Sequence, residues 1–187
     1  MNQNTYTYLP GISPNLYIGN YVACLNYQWD KTICCINCHS KNIDKYSYTF
    51  NDDPFIDFEE AKYHILNGAR ILNQLITENK TKKILVHCHA GMNRCATICG
   101  AYAILYLNWS ADKAINYIRN RNKYERNLLA ITNPVFEKIL YYLSNQQDKS
   151  SYHIQYINNN KNIKFIHYNQ EEEDNNYQTQ IKDIINK

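Results

Sequence analysis

This chain has no hydrophobic run long enough to cross a membrane. Its first residues, 1–5, lack the charged and apolar regions of a signal peptide. Asn2 stands where myristoylation needs a glycine, and the C-terminus carries no prenylation box. The formal charge is only +3 over 187 residues, which is too small to argue for a nucleic-acid partner. We therefore expect a soluble protein without a membrane partner.

The sequence also lacks an even set of cysteines. It has seven, and several fall in apolar strand or helix patterns, such as Cys34 and Cys99. Free cysteine behaves as a small buried hydrophobe, and reduced thiols predict a cytoplasmic or nuclear location. Cys35-x-x-Cys38-His39 has no second pair at a spacing that suits zinc, so we predict no metal.

Strand-like and helix-like segments alternate along the chain. Residues 1–14 are polar with turn signals, and short apolar strand patterns occur at 16–20, 31–38, 45–50 and 83–87. Helical patterns occur at 21–30, 57–77 and 94–107, in a short helix that begins at 111 after Ser110, and at 135–144. This alternation predicts an α/β three-layer sandwich, with a central, mostly parallel sheet of about five strands and helices on both faces.

The most informative stretch runs from Ile84 through Arg94 and reads ILVHCHAGMNR. Its apolar run, cysteine, short loop and following helical pattern predict a buried strand, a loop and a helix N-terminus. Inward-pointing backbone N–H groups and the helix dipole favour an anion in such a loop. They also favour the thiolate of Cys88, and the guanidinium of Arg94 can hold two oxygens of a phosphate. The stretch therefore predicts a cysteine nucleophile beneath a bound phosphate.

The pattern Leu85-Val-His-Cys-x-Ala-Gly-x-x-Arg94 resembles the signature loop of dual-specificity protein phosphatases, a branch of the cysteine-based protein tyrosine phosphatase superfamily. The resemblance extends from about Leu16 to Leu143 and includes Asn133-x-x-Phe-x-x-x-Leu140. It implies that the loop lies between a central strand and a helix and that no cofactor is used. Within that loop it implies that Cys88 is the nucleophile and that Arg94 binds the phosphate. It also implies that backbone N–H groups bind the substrate from His89, Ala90, Gly91, Met92 and Asn93.

The resemblance further implies a general acid in an upstream loop. The family takes it from an aspartate five residues before a polar residue that opens a helix, and Asp52 with Asp57 fits this register. Asp53 is the alternative because loop lengths vary, and both aspartates also fit a simple turn before Pro54. In the implied reaction Cys88 attacks phosphorus while Asp52 protonates the leaving group. Water then hydrolyses the thiophosphate with Asp52 as base.

Three further residues are expected to support the loop. His87 is interpreted as a buried partner that orients it, and Asn133 as a helix N-cap before Pro134 whose family counterpart braces the loop. Cys95 departs from the family, where a serine or threonine bonds the thiolate. Since a thiol is a weak donor, we hypothesise slower breakdown of the intermediate. A reversible Cys88–Cys95 disulfide is a second hypothesis, and a tolerated small residue is a third interpretation.

The resemblance implies a phosphorylated protein as substrate. The chain has no room for the added loop of longer tyrosine-specific phosphatases, which favours a shallower site for phosphotyrosine and phosphoserine or phosphothreonine. One alternative is a related RNA 5′-phosphatase, whose loops also carry asparagine before arginine, as at Asn93, but have histidine where Ala90 stands. The other is a catalytically weak phosphate-binding module, although such proteins usually lose the cysteine, arginine or aspartate.

The composition changes after the last predicted helix. Residues 1–144 are predicted to form the catalytic domain, and residues 145–187 an Asn-rich extension that forms a hairpin or is disordered. The basic cluster that precedes the last helix is interpreted as a solvated helix end and comprises Arg119, Arg121, Lys123 and Arg126.

Overall fold

A computed structural model describes residues 4–26, 29–34, 45–47 and 50–146 of the chain. These residues form five strands and five helices: β1 Tyr6–Tyr8, β2 Leu16–Gly19, α1 Tyr21–Asn26, β3 Lys31–Cys34, β4 Lys45–Ser47, α2 Phe58–Glu78, β5 Ile84–His87, α3 Arg94–Leu107, α4 Ala111–Arg126 and α5 Pro134–Gln146. Within these ranges, no helix combines the length and the hydropathy needed to span a bilayer.

The strands lie in one mixed sheet in the order β1-β2-β5-β3-β4. β2, β5, β3 and β4 run parallel, and β1 is antiparallel to β2 at one edge. The predicted α/β class is confirmed. β5 is central because Val86 pairs with Ile18 on one side and with Ile33 on the other. The residues that follow β5 therefore lie at the middle of the carboxyl edge, where open α/β sheets bind ligands.

Successive side chains of β5 enter two different apolar layers. Ile84 and Val86 join the main core, which the buried faces of α2 to α5 complete. Leu85 points to the opposite face and packs with Ala23 of α1 and with Trp29. Helices therefore cover both faces of the sheet, and the strand that leads to the cysteine is buried along its whole length.

The helix starts follow the capping signals of the sequence. The side chain of Asp57 accepts a hydrogen bond from the backbone N–H of Glu60 at the start of α2, and Ser110 accepts one from Lys113 at the start of α4. α3 is buried continuously from Cys95 to Ile104, which agrees with its nearly all-apolar sequence. The predicted boundary at residue 144 stays a prediction. The predicted tail hairpin and the Cys35–Cys38 segment lie outside the described residues.

Two expectations were wrong. Residues 1–14 contain the short strand β1, which the polar pattern hides because its one inward side chain is Thr7; this hydroxyl donates to the amide oxygen of Asn122 at 2.8 Å. The helix that begins after Ser110 is long rather than short. α4 continues to Arg126 and ends only where Asn127 adopts the left-handed conformation, with φ of 53°.

Candidate active site

The phosphate loop, residues 88–94, connects β5 to α3, and its turn depends on one glycine. Gly91 has φ of +70°, a conformation that favours glycine. A Cβ at this position would lie 2.5 Å from Nη1 of Arg126 and 2.6 Å from the carbonyl carbon of Gly19. The loop is therefore closed tightly against β2 and α4, and no larger residue fits at its turn.

Backbone groups of neighbouring segments hold the outer side of this loop. The backbone N–H of Tyr21, at the start of α1, donates to the carbonyl of His89 at 3.2 Å. The backbone N–H of Ile131, between α4 and α5, donates to the carbonyl of Met92 at 3.0 Å. Both carbonyls are thereby fixed away from the centre of the loop.

Arg126 binds the two carbonyls that lie in the sequence between those of His89 and Met92. Its Nη2 donates to the carbonyl of Ala90 and its Nη1 to that of Gly91, both at 2.8 Å. Arg126 is only 2% exposed, so its interpretation as a solvated helix end is wrong. Because N–H and C=O point in opposite directions across a planar peptide, four outward carbonyls in succession turn the intervening N–H groups inward. This is the orientation that an anion-binding concavity requires, and the phosphate site itself stays a prediction.

Cys88 lies at the base of the loop and is 1% exposed. Its Sγ is 3.5 Å from the Sγ of Cys95 in the first turn of α3. A hydrogen bond from the Cys95 thiol, followed by the Cys95 backbone N–H, the charge of Arg94 and the Met92 backbone N–H, outweighs burial and lowers the pKa of Cys88 from 9.0 to about 5. Cys88 is therefore a thiolate at neutral pH.

Cys99, one helical turn further along α3, provides an internal comparison. It is also fully buried, but burial alone acts on it and raises the pKa of its thiol. Burial therefore cannot make a thiolate in this core. The donors of the phosphate loop and of the α3 N-terminus account for the difference between the two cysteines.

Hydrogen bonds made by Arg94 and by Asp52 link the phosphate loop to residues 50–52. Arg94 opens α3, and its Nη1 donates to the carbonyl of Phe50 at 2.9 Å. Asp52 follows in the Asp52 loop, residues 51–57, and its Oδ1 accepts hydrogen bonds from Nδ2 of Asn93 at 3.2 Å and Nδ2 of Asn133 at 3.1 Å. The structure thus brings together one side chain from the phosphate loop, one from the Asp52 loop and one from the start of α5.

Asp53 is used differently from Asp52. Its Oδ1 accepts the backbone N–H of Phe55 at 2.8 Å, which is a local turn, and its carbonyl accepts from Asn133 at 3.0 Å. Asn133 also accepts the backbone N–H of Val135 with its Oδ1 at 3.0 Å, as an N-cap does. The side-chain NH₂ group of Asn133 therefore stabilises the Asp52 loop. The other two residues that the sequence singled out also lie next to Cys88. His87 is buried at the end of β5, directly before Cys88, and the Sγ of Cys95 is close to the Sγ of Cys88.

Sequence reasoning missed two contributions. Arg126 looked like the other basic residues of its cluster, and nothing in the local pattern distinguishes an arginine that bonds backbone carbonyls from one in solvent. Asn93 was expected to contribute its backbone only, yet its side chain contacts Asp52 and Thr132. No cluster of side chains that could hold a metal ion occurs within the described ranges.

The sequence profile of the dual specificity phosphatase catalytic domain matches residues 16–141, which is more than half of the chain. The chain belongs to this family. Tyrosine-protein phosphatase yvh1 of Schizosaccharomyces pombe is 27% identical over 126 residues, which cover 60% of this chain and 36% of the yeast protein. Protein phosphatase Slingshot homolog 1 of Homo sapiens is 33% identical over 64 residues, which cover 34% of this chain and 5% of that protein.

Solved structures of low sequence identity share the fold of this dual-specificity phosphatase. A variant of human DUSP28 superposes with a TM-score of 0.61 at 18% identity, covering 79% of this chain and 99% of that one. The chain spans only 36% of the yeast relative and 5% of the human one.

Proposed function

We propose that this dual-specificity phosphatase hydrolyses phosphotyrosine and phosphoserine or phosphothreonine on proteins through a cysteinyl-phosphate intermediate. The observation that carries the proposal is the Cys88 thiolate, with a pKa of about 5, at the base of a loop whose carbonyls are bonded outward. Such a loop offers its N–H groups to phosphate oxygens, and Arg94 adds a charge at the same end of α3.

In the first step the sulfur of Cys88 attacks phosphorus. The S–P bond forms, the P–O bond to the leaving group breaks, and Asp52 transfers its proton to the departing oxygen. In the second step water attacks phosphorus and gives a proton to Asp52, the S–P bond breaks, and the thiolate is restored. Arg94 and the loop N–H groups stabilise the charge on the equatorial oxygens in both steps.

The choice of Asp52 over Asp53 is supported by their hydrogen bonds. Oδ1 of Asp52 is held by side-chain amides from the phosphate loop and from the N-cap of α5, at 3.2 Å and 3.1 Å. The carboxylate of Asp53 instead accepts the backbone N–H of Phe55, two residues further along the chain. A carboxyl that closes a turn is poorly placed to meet a leaving group bound at Cys88.

A protein substrate is favoured over RNA by how the chain uses its arginines. Arg119 bonds the carbonyl of Ile131 at 2.7 Å and the carboxylate of Glu137 at 2.9 Å, and Arg121 pairs with Glu125. Arg126 is buried against the phosphate loop. These three guanidinium groups are therefore engaged with the protein itself, whereas nucleic-acid binding draws on cations that face the phosphate backbone.

Two exposed apolar side chains beside the site also suit a protein substrate. Phe55 of the Asp52 loop is 91% exposed, and Leu129, between α4 and α5, is 59% exposed. Asn93 of the phosphate loop bonds to both of these segments, through Asp52 and Thr132. Apolar and aromatic side chains are the groups that protein partners bury.

The test measures hydrolysis of an aryl phosphate, with EDTA present, by wild type, Cys88→Ser, Asp52→Asn and the matched neighbour Asp53→Asn. We expect no turnover by Cys88→Ser, a loss of about 100-fold or more for Asp52→Asn, and little change for Asp53→Asn. Two phosphopeptides that differ only in carrying phosphotyrosine or phosphothreonine then test the dual specificity.

Four results would contradict the proposal. Turnover by Cys88→Ser equal to wild type would exclude the cysteinyl intermediate. A larger loss in Asp53→Asn than in Asp52→Asn would reverse the assignment of the acid. Tungstate binding by a wild type without turnover would indicate a phosphate-binding module, and faster hydrolysis of a 5′-phosphorylated oligonucleotide than of either peptide would indicate an RNA phosphatase.

A further inference from the structure

Asn93 occupies the N-cap position of α3, but its side chain does not cap the helix. Asparagine is among the residues that cap most effectively, by accepting an N–H of the first turn. Here the backbone is helical, with φ of −103° and ψ of −74°, and only the carbonyl of Asn93 bonds into the helix, to the N–H and hydroxyl of Thr97 at 2.8 Å each. The side-chain amide is therefore left for another task.

The amide oxygen of Asn93 is bound by the α4–α5 loop, residues 127–133. It accepts the backbone N–H of Thr132 at 2.7 Å, the hydroxyl of Thr132 at 3.0 Å and the backbone N–H of Asn133 at 3.4 Å. Two backbone N–H donors on this atom fix which end of the amide is the oxygen. Its NH₂ group must consequently face the other way, where it donates to Oδ1 of Asp52 at 3.2 Å.

We propose that Asn93 is a positioning residue that holds the carboxyl of Asp52 toward the bound phosphate and selects Oδ2 as the oxygen that carries the transferred proton. The inference rests on the proposed function of Asp52. Oδ1 already accepts two amide N–H groups, from Asn93 and Asn133, so its lone pairs are engaged. A protonated Asp52 therefore carries its hydrogen on Oδ2.

The two asparagines connect Asp52 to different parts of the protein. Asn133 is the N-cap of α5 and also donates to the carbonyl of Asp53, so it anchors the whole Asp52 loop to the start of that helix. Asn93 belongs to the phosphate loop itself and lies directly before Arg94. It ties the acid directly to the segment proposed to bind the phosphate, whereas the contact from Asn133 ties the acid to the start of α5.

The experiment compares kcat/KM for two aryl phosphates that differ in their need for an acid. Phenyl phosphate has a poor leaving group that requires protonation, whereas dinitrophenyl phosphate has one that departs as the anion. We expect Asn93→Ala to lower kcat/KM about tenfold or more for phenyl phosphate and less than about twofold for dinitrophenyl phosphate. Asp52→Ala is expected to show the same selectivity to a larger extent.

A double variant separates positioning from general damage. If Asn93 acts through Asp52, adding Asn93→Ala to Asp52→Ala costs nothing further. Thr97→Val is the matched control, because it removes the hydroxyl donor to the carbonyl of Asn93 without touching Asp52; it is expected to affect both substrates equally or neither. Tungstate affinity checks that the phosphate loop of Asn93→Ala is intact.

Thr132→Val is the second variant and is used if Asn93→Ala does not fold. It changes an exposed side chain, removes one donor to the amide oxygen and should give a smaller loss that is again selective for phenyl phosphate. An equal loss for both substrates, or a loss from Asn93→Ala that persists in Asp52→Ala, would overturn the inference while Cys88-dependent turnover still upheld the proposed function. No turnover by the wild type would overturn both.

Discussion

The thiol of Cys95 should set the ionisation of Cys88, and replacing it by Cys95→Ala tests this directly. The two sulfur atoms are 3.5 Å apart, and the Cys95 thiol is the largest of the influences that lower the pKa of Cys88. Cys95→Ala removes this donor. It keeps the backbone N–H of residue 95, which also stabilises the thiolate.

The size of the effect follows from the pKa of Cys88. That value lies about 4 below the ordinary thiol value, at about 5 instead of 9.0, which corresponds to roughly 5 kcal/mol. Four interactions lower the pKa while burial raises it, so the four together lower it by more than the net difference. The largest of four exceeds a quarter of their sum. Cys95→Ala should therefore raise the pKa of Cys88 by at least about one, or roughly 1.4 kcal/mol, to about 6 or higher.

The assay follows the ultraviolet absorbance of the thiolate as a function of pH. Each protein is compared with the same protein carrying Cys88→Ser, so that the other thiols cancel. Wild type should show a midpoint near 5, and Cys95→Ala a midpoint near 6 or above. The pH dependence of alkylation by iodoacetamide, a neutral reagent, should give the same order.

Cys95→Ser is the control, because a hydroxyl is a better donor than a thiol. It should keep the midpoint of Cys88 at or below the wild-type value and raise kcat by speeding breakdown of the thiophosphate. An unchanged midpoint in Cys95→Ala would refute the role of Cys95 in stabilising the thiolate. No gain in kcat for Cys95→Ser would show that the thiol does not slow the second step.

Three further outcomes follow from the phosphate loop. Arg126→Met leaves two carbonyls without their donor and should reduce tungstate affinity by about tenfold or more, as measured by calorimetry, with unchanged affinity contradicting its role. Gly91→Ala places a Cβ 2.5 Å from Nη1 of Arg126 and should abolish turnover and lower the melting temperature, so an active and stable variant would refute the packing argument. Mild hydrogen peroxide should convert the thiolate of Cys88 to a sulfenic acid. The sulfur of Cys95 then attacks the sulfenic sulfur, and a disulfide forms with loss of water. Mass spectrometry that finds no such crosslink would remove this hypothesis.

The surroundings of Cys88 could be predicted because their determinants are consecutive in the chain. The eleven residues from Ile84 to Arg94 contain a buried strand, one glycine and the first residue of a helix. The start of α2 was predictable for the same reason, since Asp57 and Glu60 are three residues apart. Local hydrogen bonds and hydrophobic periodicity are visible in one sequence.

The contacts that hold this loop in place could not be predicted. Arg126 bonds carbonyls 35 and 36 residues away, and Asn93 bonds Thr132 at a separation of 39. A polar side chain carries no local sign of which distant backbone group it will meet. β1 was missed for a related reason, because its three residues form a strand only when paired with β2.

The central position of β5 makes one sulfur atom a reporter of folding. β2 and β3 both precede β5 in the chain, and the sheet is continuous only when β5 lies between them. In an unfolded chain Cys88 is an ordinary thiol, so between about pH 6 and 8 the thiolate at this residue belongs to molecules in which that insertion has occurred. Pairing between distant strands is slow in folds of this kind. The rate at which refolding molecules acquire a thiolate at Cys88 therefore measures the closure of the centre of the sheet.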